Sequence, residues 1–89
     1  MKPLVSIVIP TYNRARDLER ALKSVLAQTY SDWEALIVDN HSSDNTDDVV
    51  KSFNDSRMKL FKIHNNGVIA ASRNLGIQHS QGEYIAFID

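Results

Sequence analysis

A doubly wound α/β fold with a parallel sheet is what the order of apolar segments predicts. Three observations carry that prediction: short apolar runs rich in valine and isoleucine, such as Val5 to Ile9 and Ala35 to Val38, intervening stretches whose apolar residues recur at helical spacing, and turn-forming residues at the junctions. The expected order is βαβαβαβ. Such alternation gives three α/β/α layers of Rossmann-like type, with right-handed crossovers placing helices on both faces of the sheet.

Residues 4–9 form an apolar run interrupted only by Ser6, as expected of a strand covered on both faces, and Pro10 is read as its end. Over residues 14 to about 28, Leu18, Leu22, Val25 and Leu26 recur at helical spacing beside Ala15 and Ala21. Thr11 or Asn13 is the expected cap. Residues 33–39 make the second strand, and the run Asn40-His41-Ser42-Ser43-Asp44-Asn45-Thr46 breaks it with turn formers. A short helix is expected over 46–54, burying Val49, Val50 and Phe53. Ser43 or Asp44 would cap it, and Asp47 and Asp48 suit its positive start. Residues 58–63 supply the third strand. After Asn65-Asn66-Gly67, a helix from 68 to about 79 presents Val68, Ala71 and Leu75, and Gly82 ends it before the last strand, 83–89.

Eighty-nine residues make one small domain at most, and a chain this short buries only about two-thirds of its unfolded surface. Apolar content of 43% and charged content of 24% argue against disorder. A net charge of -1 offers no basic face for nucleic acid, so no nucleic-acid partner is expected. Without cysteine there is neither a disulfide framework nor a thiolate metal site. The N-terminal apolar run is too short for a signal-peptide core or a membrane span.

In open α/β sheets ligands collect beyond the carboxyl ends of the strands, where strand order switches. The site candidates are therefore Pro10, Thr11, Tyr12 and Asn13, then Asp39 to Asp44, then Asp89. Neither G-x-G-x-x-G nor G-x-x-x-x-G-K-[ST] is present, which disfavours dinucleotide and P-loop readings. A receiver-domain reading lacks its acidic pair after the first strand.

Five blocks in order carry a family resemblance: Ser6-Ile7-Val8-Ile9-Pro10-Thr11-Tyr12-Asn13-Arg14; Ser24-Val25-Leu26-Ala27-Gln28-Thr29-Tyr30; Ile37-Val38-Asp39-Asn40-His41-Ser42-Ser43-Asp44-Asn45-Thr46; Asn66-Gly67 through Ser72-Arg73-Asn74-Leu75-Gly76; and Gly82-Glu83-Tyr84-Ile85-Ala86-Phe87-Ile88-Asp89. Over nearly its whole length the chain resembles the family 2 inverting glycosyltransferases of GT-A fold. The resemblance implies transfer of a sugar from a nucleotide diphosphate donor, with UDP expected, to a glycan, lipid-linked or other hydroxyl acceptor. It also implies a cytoplasmic enzyme, with membrane association of a longer parent left open.

Tyr12 offers a ring for a base to pack on, or else a half-exposed tyrosine against the first helix. Asp39 and Asn40 offer acceptors to a base, although for Asp39 and Asp44 turn and cap chemistry is the alternative. The family often has a second acidic residue where this chain has Asn40, whose amide also donates and relaxes base selection. The resemblance places Arg73 and Asn74 toward the donor, where an arginine suits phosphate; a surface arginine is the plain alternative. Asp89 resembles the first aspartate of a D-x-D motif holding Mg²⁺ or Mn²⁺ through oxygen ligands. His41, His64 and His79 show no metal-site spacing. The expected part is thus a donor-binding half, cut at that motif, with no catalytic base of its own and little activity alone. The alternative is a non-catalytic nucleotide-binding or interaction module; a nucleotidyltransferase is more remote, lacking its glycine-rich first loop.

Overall fold

A computed structural model of the chain describes residues 3–28, 30–64 and 69–88. Its elements follow the expected order: β1 (Val5–Thr11), α1 (Ala15–Leu26), β2 (Trp33–Asp39), α2 (Thr46–Phe53), β3 (Met58–Lys62), α3 (Ile69–His79) and β4 (Tyr84–Phe87). The four strands are parallel in the order β3-β2-β1-β4.

Alternation along the strands assigns the helices to faces. Ile7 and Ile9 of β1 and Trp33, Ala35 and Ile37 of β2 share one buried cluster with Leu18, Leu22 and Val25 of α1 and Val50 of α2. The intervening residue Val8 lies against α3, where a Cβ on Gly76 would fall 2.5 Å from Val8 Cγ1. Helices α1 and α2 therefore cover one face and α3 the other. All seven residues of β2 are buried, including Glu34 and Asp39.

Two boundaries differ from expectation for identifiable reasons. Pro10 lies inside β1, paired in register with Val38, rather than ending the strand. Ile88 N donates to Val8 O, so the even residues of β1 turn their backbone toward β4, whose paired register stops at Val8 and Phe87. The N–H that proline lacks would point away from β2, so its pairing with Val38 loses no hydrogen bond. Helix α1 starts at Ala15 and its N-cap, Arg14, makes no side-chain cap. Thr11 is committed to the strand and Asn13 to a neighbouring loop, so neither caps it.

At the amino edge of the sheet, a buried carboxylate braces three strands and a turn. Glu34 Oε2 accepts from Ser6 Oγ at 2.6 Å and from Gln81 N at 2.7 Å, while Oε1 faces Lys59 Nζ at 3.1 Å. Ser6 Oγ in turn accepts from Gly82 N at 2.8 Å, at a glycine whose Cβ would meet Ser6 N and Oγ at 2.7 Å. Burial pushes the Glu34 carboxyl upward, but the bonds from Ser6, Gln81 and Lys59 outweigh it and hold the group below the usual carboxylate range. Because folding lowers its proton affinity, its contribution is complete above the ordinary value near 4.5 and is lost as pH falls through the lower folded value. Glu34→Gln should lower urea stability at neutral pH by roughly 1–3 kcal/mol and narrow the gap to the parent at pH 3. Parallel pH dependence in the two proteins would refute this.

Candidate functional site

The carboxyl edge is organised by two loops that grip each other. Asn13 N donates to Ser42 Oγ at 2.8 Å, and Ser43 N donates back to Asn13 Oδ1 at 2.8 Å, with Ser43 Oγ at 3.3 Å from the same oxygen. Both loops turn through left-handed backbone, with φ of 50° at Asn13 and 57° at His41. Asparagine accepts that conformation readily; histidine does so at a cost of the order of 1 kcal/mol, repaid by the bonds around it. One of those involves the neighbouring residue: Asn40 N donates to Thr11 O at 2.9 Å, extending the β1–β2 ladder.

Asp39 holds the second loop from beneath. Its Oδ1 accepts from Ser42 N at 3.1 Å and from Ser42 Oγ. The residue is fully buried, so it shapes the loop without a surface to offer a ligand. Asp44 ties the same loop to two helices. Its Oδ2 accepts from Ala15 N at 3.1 Å and its Oδ1 from Thr46 N at 3.1 Å, satisfying donors at the starts of both α1 and α2. The Thr46 hydroxyl bond is the main cause holding the Asp44 carboxyl below its ordinary range, helped by the Ala15 and Thr46 amides against a modest burial cost. Asp44 thus caps α2, as expected from sequence, and also serves α1, whose N-cap Arg14 makes no side-chain cap; Asn45, the N-cap of α2, makes none either.

The ladder's alternation sorts the remaining candidates. Thr11, buried and paired with Asp39, belongs to the α1/α2 side. Pro10, paired with Val38, and Asn40, largely buried at 7% exposure, follow the alternation toward the α3 side. Arg73 of α3 lies on that side, its guanidinium carbon 5.8 Å from the Phe87 ring centroid, within cation–π reach. Tyr12 is 55% exposed between the loops. The structure therefore gathers Pro10, Tyr12, Asn40 and Arg73 around the carboxyl edge, with Thr11, Asn13 and Asp39 supporting them. Asn74 is exposed and about half a helical turn from the buried Ser72 and Gly76, so α3 turns it away from the sheet. Asp89 and the Asn66-Gly67 block lie outside the described residues.

Several participants were not singled out by residue type. Ser42 and Ser43 fall in the candidate stretch only as turn formers and, for Ser43, as a cap, while Lys62, 3.6 Å from Asp39 Oδ2 and 2.6 Å from Asp47 Oδ1, carries no sequence signal beyond its place in the third strand. His41 and His64 stack with ring centroids 5.1 Å apart beside the second loop. Among the described residues, no group of three or more His, Asp or Glu gathers as a metal-ligand set, and no helix is long and apolar enough to cross a membrane.

A parallel 3-2-1-4 sheet with clasped loops beyond β1 and β2 is an open, doubly wound α/β frame, of the kind in which ligands collect at the carboxyl edge. The pattern described as glycosyl transferase family 2 matches residues 6–89, and the chain belongs to that family. Over 86 residues it is 43% identical to the UDP-Glc:alpha-D-GlcNAc-diphosphoundecaprenol beta-1,3-glucosyltransferase WfgD of Escherichia coli, covering 97% of this chain and 34% of that protein. It is 38% identical to the putative teichuronic acid biosynthesis glycosyltransferase TuaG of Bacillus subtilis, covering 99% of this chain and 36% of TuaG. The chain thus spans about a third of the length of these relatives. The S. aureus TarS 1-349 structure with UDP-GlcNAc superposes with a TM-score of 0.86 at 28% identity, over all of this chain and 26% of that one. The Pyrobaculum calidifontis mannosyltransferase PcManGT, in complex with GDP-Man and Mn²⁺, gives 0.80 at 27% identity, over 96% of this chain and 26% of that one. The α/β GT-A architecture expected from sequence is therefore the one observed.

Asp44→Ala removes an acceptor shared by two helix starts. It should lower stability by about 1 kcal/mol or more and accelerate hydrogen exchange at both Ala15 and Thr46. Exchange that changes at only one of them would contradict the shared role.

Proposed function

We propose that these residues form the donor-nucleotide site of an enzyme that transfers a sugar from a nucleotide diphosphate sugar, a UDP-sugar first, to a hydroxyl acceptor with inversion. The observation that carries this reading is the clasped loop pair, with Tyr12 exposed and with Tyr12 and Asn40 each following the paired Thr11 and Asp39 at the edge where strand order switches. A nucleobase needs a flat surface and in-plane hydrogen-bond partners. Tyr12 offers the surface, and stacking of that kind is worth roughly 1–3 kcal/mol. Asn40 offers a carbonyl acceptor and an amide donor, matching the N–H and carbonyl groups of uracil while discriminating less than a carboxylate would. Arg73 suits the diphosphate through its planar fork. Pro10, Thr11, Asn13 and Asp39 act as the supporting frame, and Asn74, turned outward, is assigned no contact.

The relatives support the same chemistry. WfgD is named for a UDP-glucose donor and a lipid-linked acceptor, TarS is solved with UDP and with UDP-GlcNAc, and PcManGT is solved with GDP-Man. A lipid-linked glycan is accordingly the acceptor class proposed. The acceptor site and general base are assigned to the rest of the enzyme, so these residues alone should transfer little sugar. A divalent cation is proposed at Asp89, by resemblance and by the Mn²⁺ in the PcManGT complex. When bound it would neutralise charge on the departing diphosphate. The runner-up, a non-catalytic interaction module, draws on β4, where Tyr84, Ile85 and Phe87 are exposed.

Isothermal titration with UDP, GDP and ADP tests the reading. Tyr12→Ala should weaken UDP binding about tenfold, and Asn40→Asp should raise the preference for UDP over GDP. UDP affinity indifferent to both substitutions would overturn the pocket; self-association without nucleotide affinity would favour the module.

A further inference from the structure

We infer that Lys62 is a positioning residue for the nucleotide loop, acting through Asp39 and never touching the donor. The inference rests on reading that loop as part of the donor site. Asp39 is fully buried, and while Oδ1 is taken by Ser42, Oδ2 accepts no hydrogen bond among the described residues. Lys62 Nζ, 3.6 Å away, is the cation placed against it. That separation is too long for a hydrogen bond, so the pairing is Coulombic. The same Nζ is 2.6 Å from Asp47 Oδ1 in the first turn of α2. β3 is held in place for this by its register, Asp39 opposite Lys62, and by Ile63 N donating to Asp39 O at 2.9 Å. One ammonium group therefore joins the end of β2, the start of α2 and the edge strand.

The two halves of this bridge are unequal. The Asp47 side chain is 45% exposed and that of Lys62 48%, so their pairing is an ordinary surface contact worth little. Its hydrogen bond to Asp47 is nonetheless the main reason the Lys62 ammonium is held above the ordinary lysine range; burial opposes this slightly, and the charges of Asp47 and Asp39 add to it. The Asp39 side chain has no exposure, and a buried carboxylate stripped of its countercharge is costly. Its nearest relief is to turn toward water, which releases Ser42. Ser42 is the residue that Asn13 grips and the one that follows the left-handed turn at His41. Removing the lysine should therefore disturb the nucleotide loop specifically, rather than loosen the fold evenly.

The test compares Lys62→Met, Lys62→Arg, Asp39→Asn and the Lys62→Met/Asp39→Asn double variant, using the Ser42 amide resonance and UDP affinity. Lys62→Met should move the Ser42 amide and weaken UDP at least about tenfold, equivalent to about 1.4 kcal/mol. Lys62→Arg should restore both, and in the Asp39→Asn background the further loss from Lys62→Met should vanish. A folded Lys62→Met protein with the parental Ser42 amide would overturn the inference, as would an undiminished loss in the Asp39→Asn background. If Lys62→Met does not fold, recovery of folding in the double variant supports the role and continued unfolding refutes it. Absence of UDP binding by the parent would defeat the donor reading, while the Ser42 resonance would still decide what Lys62 does to the loop.

Discussion

The reciprocal hydrogen bonds between Asn13 and the Ser42–Ser43 pair are the constraint on which the carboxyl edge depends. Two loops of few residues, each turning through left-handed backbone, have no hydrophobic core of their own to fix them. Each supplies what the other lacks: Asn13 gives an amide donor and a carbonyl acceptor, and the serines give a hydroxyl acceptor and an amide donor. Tyr12 and Asn40 each follow the paired Thr11 and Asp39 at the switch in strand order, and the ring of Tyr12 is exposed there. A parallel sheet brings these loops close, but only the cross-loop bonds give them a defined relative position.

Beneath the clasp, the two faces of the sheet divide the work. On the α1/α2 side, Thr11, Asp39, Asp44, Asp47 and Lys62 form a layer of buried or paired polar groups whose partners are backbone amides and one another. On the α3 side, Pro10, Asn40 and Arg73 face the region where the proposed donor would lie. Charge on the first side stabilises loops; on the second, Arg73 also lies over the Phe87 ring. The same economy appears at the amino edge, where Glu34 is wholly occupied with Ser6, Lys59 and Gln81 and plays no part in the proposed chemistry.

Much of this was legible in the residues. The apolar run of Ala35 to Val38 and the spacing of Leu18, Leu22 and Val25 dictate a buried strand and a helix packed on it, and both are present. The carboxyl edge as the place to look for a site follows from topology alone. Asp44 as the cap of α2 is legible in the sequence, but the capping of α1 is not, because it is not local: Asp44 also serves a helix start 29 residues earlier in sequence, and Asn13 is drawn away from capping by a partner 30 residues later. Pro10 looked like a strand end because its missing N–H matters only where a neighbouring strand is present to receive it. Lys62 carried no signal, since its significance comes from the buried acid opposite it in register.

The most direct measurement of the central claim is an amide-resolved NMR titration with UDP in the presence of Mg²⁺. The clasped loops predict shifts concentrated at Thr11 to Asn13, Asn40 to Ser43 and Arg73, with the amino edge around Glu34, Gln81 and Gly82 unmoved. Shifts centred on the amino edge, or a well-dispersed spectrum that UDP leaves unchanged, would contradict a donor site built on the Asn13–Ser42–Ser43 clasp.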